Sequence, residues 1–170
     1  MIMSALFRGT AHAKIYQKYR LVYPASVYNV ILKYLDDGLH QSTGQRTTKF
    51  GAALDIGCGT GISTLPLCDH FTSVIGVDVS EAQLDEARKA SSGHANVTYR
   101  VGLAHELDFQ RDGTVDLITV AQAMHWLDAS KFYRECHRLL RPGGVLAVYG
   151  YGVPRPRNPD VHDVVQHVCA

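Results

Sequence analysis

The chain has 170 residues, with 17 Lys plus Arg against 16 Asp plus Glu and a formal net charge of +1. That is room for one domain with a sizeable core, and it leaves no broad electrostatic field to draw nucleic acid or an anionic membrane. No run of about 18 apolar residues occurs, which excludes a spanning helix. The four cysteines, Cys58, Cys68, Cys136 and Cys169, show no paired spacing with one another or with the nine His. Neither a metal cage nor a disulfide framework is therefore expected, and reduced thiols in a cytoplasmic chain are the plain reading.

Residues 1–7 are apolar but broken by Ser4, which is poor material for a signal-peptide core. Residues 1–35 carry Arg8, Lys14, Lys18, Arg20 and Lys33 and no acid. A mitochondrial transit peptide shares that bias; the alternative is a segment that belongs to the fold. Val27, Val30, Ile31, Tyr34 and Leu35 fall at helical spacing with Pro24 near their start, which predicts an N-terminal amphipathic helix. Residues 36–49 are polar, contain Gly38 and Gly44 and lack periodicity, so a loop is expected there.

From Gly51 onward strand-like and helix-like pieces alternate, the pattern of a parallel sheet covered by helices on both faces. Strands are expected at residues 52–56, 73–79, 97–102, 115–121 and 145–151. Ser80 and Gln83 form a capping box for a helix running to about Ala90, with Leu84 and Ala87 inward. Phe132, Cys136, Leu139 and Leu140 form the stripe of another helix, whose end and turn into the fifth strand are marked by Arg141-Pro142-Gly143-Gly144. Pro154, Pro156 and Pro159 mark a loop, and residues 160–168 start a further helix.

The chemistry concentrates in two stretches, Asp55-Ile56-Gly57-Cys58-Gly59-Thr60-Gly61 and Val74-Ile75-Gly76-Val77-Asp78-Val79-Ser80. Each closes a strand. At the C-terminal edge of an open parallel sheet, glycines let the backbone turn sharply and approach a ligand closely. Pro66 fits a first helical turn, so the next helix is expected to start near residues 62–64 and leave the preceding amides free for a carboxylate or phosphate. Asp78 stands where a carboxylate accepts hydrogen bonds from the two hydroxyls of a ribose. NAD and S-adenosylmethionine both present one. A dinucleotide fingerprint needs a sixth-place glycine, and that place holds Ile62.

The G-x-G-x-G loop with Asp78 resembles the class I S-adenosylmethionine-dependent methyltransferases. Asp55, the three glycines, Asp78, the strand that starts at Asp116 and the Arg141-Pro142-Gly143-Gly144 turn follow that family's order. The resemblance implies an α/β fold: a Rossmann-like three-layer αβα sandwich with a mainly parallel sheet in the order 3-2-1-4-5. It implies a helical cap and linker over 1–50, a cofactor-binding domain over 51–152, and a loop with a partial helix over 153–170.

The resemblance also assigns roles. Asp55, Gly57, Cys58, Gly59, Gly61, Asp78, Val79, Ala104, Glu106, Ala121 and Gln122 are expected at the cofactor, with Ala104 and Glu106 beside the adenine. Gln122-Ala123-Met124-His125-Trp126 is similar to the branch of small-molecule enzymes that includes trans-aconitate methyltransferase, and so is the Tyr16 to Pro24 stretch. Tyr16, Arg20, Tyr23 and Trp126 are cap or substrate residues on that reading, Arg20 as a clamp for a carboxylate and His125 as the one candidate base. A small molecule is the expected partner, with no nucleic acid and no membrane.

Members of that family continue beyond the fifth strand with further helices and a hairpin. A chain truncated there would leave strand five as an apolar edge open to self-association. The second reading is accordingly a truncated, non-catalytic module that holds cofactor or pairs with another chain; an NAD-dependent oxidoreductase is a third.

Overall fold

The computed structural model describes residues 22–152, so Tyr16, Arg20 and the expected helix at 160–168 lie outside the described residues. Helix α1 (Ala25–Thr43) leads into strand β1 (Phe50–Ile56). Strand β2 (Phe71–Asp78) and helix α2 (Glu81–Ala90) follow, then β3 (Val97–Val101), β4 (Val115–Ala121), helix α3 (Ala129–Leu139) and β5 (Leu140–Tyr149). The five strands form one parallel sheet in the order β3-β2-β1-β4-β5. This is the Rossmann-like topology expected from the sequence.

Each face of the sheet has its own core. Tyr28, Leu35 and Leu39 of α1 pack with Ala53, Phe71, Val74 and Leu117 on one face. On the other, Phe132, Cys136 and Leu139 of α3 pack with Leu54, Ile56, Val77, Ile118 and Val120. Strand β4 is buried along its whole length, the behaviour of a central parallel strand covered on both sides. Among the described residues no helix is long and apolar enough to cross a membrane.

Four local expectations are corrected. The loop expected over 36–49 is helical as far as Thr43, and the helix ends where Gly44 takes φ 72° and donates its amide to the His40 carbonyl. Gly38 belongs inside that helix because α1 crosses the start of β5 at backbone contact: a Cβ at Gly38 would lie 2.8 Å from the Gly143 carbonyl oxygen. Arg141-Pro142-Gly143-Gly144 is not a free turn. Val115 pairs with Leu140 and Leu117 with Val145, so these four residues bulge within β5 opposite Asp116.

The helix expected after the glycine loop is only a 3₁₀ turn over Leu65–Leu67, with Pro66 in its first turn. At α2, Ser80 is the N-cap residue but makes no side-chain cap hydrogen bond. Asp78 accepts the Ser80 amide instead, at 2.9 Å, and so occupies the donor that Gln83 would have reached in a capping box.

Candidate functional site

The sheet reverses its winding between β1 and β4, and the C-terminal ends of β1, β2 and β4 open together there. The loop leaving β1 needs three left-handed residues, and glycine supplies them: φ is 67° at Gly57, 56° at Gly59 and 81° at Gly61. The neighbouring strand ends in Asp78, whose Oδ2 accepts the Gly59 amide at 2.9 Å while Oδ1 accepts the Ser80 amide. The carboxylate is half-buried and aimed across the loop. Two backbone donors fix its orientation.

The loop amides are less free than expected. Gly57 and Cys58 both donate to the Val77 carbonyl, at 2.8 and 3.2 Å, and Gly61 donates to Cys58 at 3.0 Å. With the Gly59 bond to Asp78, the loop is stitched to β2 rather than presented as a bare nest. The physical reason is that the β1–β2 ladder carries on past the end of β1.

Asp55 works from inside. It is fully buried, and its Oδ2 accepts the hydroxyls of Ser63 at 2.8 Å and Thr64 at 2.6 Å, while Oδ1 accepts Thr119 at 2.8 Å. Three hydroxyl donors satisfy the charge that burial would otherwise penalise. They also bolt the far side of the glycine loop to β1 and β4. Cys58 is equally buried, and its thiol is pushed well above the usual cysteine value by burial first and then by the Asp55 and Asp78 carboxylates.

The remaining expected residues divide by exposure. Ala104 is buried, Glu106 is exposed and Val79 is 57% exposed immediately beyond Asp78. Ala121 is buried at the end of β4. Gln122 turns its side chain to β5, donating from Nε2 to the Tyr151 carbonyl at 2.6 Å. His125 and Trp126 lie on an exposed 3₁₀ turn over Met124–Trp126, their ring centroids 4.5 Å apart. Tyr23 is buried edge-on against Tyr149 at 4.8 Å and 5.7 Å from the Tyr151 ring.

Sequence reading missed Tyr99, Thr119 and the Ser63–Thr64 pair. The Tyr99 ring sits over Gly76, its register partner, where a Cβ would come within 2.6 Å, and its hydroxyl lies 2.8 Å from where a Cβ on Gly61 would stand. Burial pushes this phenol up to about 12. The one signal in the sequence was Gly76 itself, a glycine inside a strand, which marks a close approach.

Residues 54–148 match the family described as a methyltransferase domain. A Dictyostelium discoideum protein named as a methyltransferase is 37% identical over 153 residues, 90% of this chain and 52% of its own length. The ubiquinone biosynthesis O-methyltransferase of Pseudomonas aeruginosa is 39% identical over 94 residues, 54% of this chain and 40% of that protein. A solved structure from Anaeromyxobacter dehalogenans, named as a type II methyltransferase, superposes with a TM-score of 0.66 at 34% identity over 88% of this chain and 56% of that one. The chain belongs to the class I S-adenosylmethionine-dependent methyltransferases. It spans about half the length of the Dictyostelium relative.

Proposed function

We propose that this chain binds S-adenosylmethionine at the β1–β2–β4 edge and serves methyl transfer to a small molecule, a carboxylic acid being the first acceptor to test. The observation that carries the reading is the Asp78 carboxylate, held half-buried by the Gly59 and Ser80 amides beside a loop of left-handed glycines. The residues present fit such a cofactor. Asp78 is an oriented carboxylate of the kind that accepts from a ribose diol, the left-handed glycines suit close approach of the amino-acid part, and exposed Val79 and Leu103 offer apolar surface to the base.

S-adenosylmethionine, when bound, supplies a methyl group on a sulfonium that is already a good leaving group. What this chain adds is therefore mainly orientation. A carboxylate acceptor attacks as it stands; for a hydroxyl or amine, His125 is positioned on the exposed turn after β4 to take the proton. The narrower likeness to the trans-aconitate methyltransferase branch rests on Gln122, His125, Trp126 and the Tyr16, Arg20 and Tyr23 stretch. A small oxygen acceptor agrees with the name of the Pseudomonas aeruginosa relative. The buried thiols of Cys58, Cys68 and Cys136 are free and suit a cytoplasmic setting.

Calorimetric titration with S-adenosylhomocysteine, followed by methyl-transfer assays on small carboxylic acids, tests the proposal. Binding with turnover supports it. A non-catalytic binding module is the second reading, and it would show binding alone. No binding would overturn the first reading and leave, of the second, only a module that pairs with another chain.

A further inference from the structure

We infer that Gln122 is a positioning residue: its left-handed backbone and its tie to β5 set the turn that carries His125 and Trp126 against the glycine loop. The inference deepens the proposed function and rests on it for the meaning of that turn, but not for the geometry.

Among the described residues Gln122 is the non-glycine with positive φ, at 57°. An L side chain adopts this region at a cost, whereas glycine enters it freely. A glutamine there is explained by what its side chain does. Its Nε2 donates to the Tyr151 carbonyl at 2.6 Å, and its amide end covers Gly150, where a Cβ would meet Cδ at 3.1 Å. Its own backbone amide donates to the Tyr149 carbonyl at 3.0 Å. One residue therefore closes the ends of β4 and β5 on each other.

The reversal at Gln122 decides where the chain goes next. Ala123 is driven against the glycine loop so closely that a Cβ on Gly57 would lie 2.5 Å from its methyl. From that contact the chain winds into the Met124–Trp126 turn, with the Trp126 amide donating to the Ala123 carbonyl at 2.9 Å. The turn is thus fixed at two points, to the end of β5 through Gln122 and to Gly57 through Ala123. The Gln122 side chain acts through these contacts, in addition to the place at the cofactor expected for it.

Trp126 is the single tryptophan of the chain, so its fluorescence reports this turn alone. The test compares wild type with Gln122→Gly, which keeps the left-handed backbone and removes the tie, and with Gln122→Glu, which keeps the length and removes the donor. Acrylamide quenching of Trp126, melting temperature and S-adenosylhomocysteine affinity are measured for each. In both variants quenching should rise and the dissociation constant should rise about threefold to tenfold, the scale of one net hydrogen bond. Gln122→Gly should hold or raise its melting temperature, because the strain is relieved.

Unchanged quenching in both variants overturns the inference. So does a fall in melting temperature with Trp126 no more accessible, which would make Gln122 a stability residue. If wild type itself fails to bind S-adenosylhomocysteine, the proposed function falls while the quenching arm still decides the role of Gln122.

Discussion

Oδ2 of Asp78 accepts the Gly59 amide at 2.9 Å, so the acid that ends β2 and the middle glycine of the loop that ends β1 are a single unit. On the proposed function Asp78 then has two tasks, holding the loop and accepting from the ligand. Asp78→Ala is expected to weaken S-adenosylhomocysteine binding by about 1.5 to 3 kcal/mol, the worth of hydrogen bonds to a charged group. It should also lower the melting temperature, since the Gly59 and Ser80 amides lose their acceptor. Asp78→Asn, with one carbonyl acceptor left, should fall between. Calorimetry on the three proteins checks the order, and equal dissociation constants would remove Asp78 from the site.

Gly61 is constrained twice, by φ of 81° and by space, since an added Cβ would stand 2.8 Å from the Tyr99 hydroxyl and 3.1 Å from the Ala87 methyl. Gly61→Ala should therefore destabilise the fold by about 1 to 3 kcal/mol from strain and overpacking. Tyr99→Phe removes the atom met at the shorter distance, so the double variant should recover part of the loss. Chemical denaturation of the four proteins of this cycle measures the coupling; strict additivity would show that Tyr99 does not support the loop.

Asp55 should matter to binding although it is fully buried. Asp55→Ala strands the hydroxyls of Ser63 and Thr64 in the core and leaves Thr119 only the Leu54 carbonyl at 3.4 Å, and a loss of about 3 kcal/mol in folding stability is expected. Thr119→Val, which removes one donor, should cost about 1 kcal/mol. Both should weaken cofactor affinity in proportion to the disturbance of the loop. Full affinity in a folded Asp55→Ala protein would show that the buried triad does not position it.

The strands were legible because short, largely apolar runs fall between recognisable breaks, and the run from Val115 to Ala121 stands between Gly113-Thr114 and Gln122. The Gly59–Asp78 juxtaposition was legible too, because the spacing of two strand ends in a parallel sheet leaves few alternatives. The second half of α1 was not. Its residues are mostly polar, and what holds it is a backbone contact between Gly38 and Gly143 that no local pattern records. Tyr99 and Thr119 escaped notice for a related reason. Their roles depend on register partners in other strands, which a single sequence does not display.

Stability should fall in acid through Glu135. This carboxylate accepts Arg138 at both oxygens, Nη2 to Oε1 at 2.6 Å and Nε to Oε2 at 2.9 Å, and Oε1 also takes the Leu107 amide at 3.1 Å. The Arg138 hydrogen bond holds it below the usual glutamate value, burial works against this, and the Leu107 amide adds to it. A folded-state value below the unfolded one means that the contribution is fully present above the unfolded value and is lost as pH falls through the folded one. Glu135→Gln should therefore cost about 1 kcal/mol at neutral pH, a figure kept small because the group is partly solvated. The gap should narrow as pH falls below the ordinary glutamate value and close once it has passed the lowered folded-state value, where the wild-type carboxylate takes up its proton. Urea denaturation of both proteins from neutral pH down to pH 3 reads the difference directly, and a gap that stays constant over that range would show that charge at Glu135 contributes nothing.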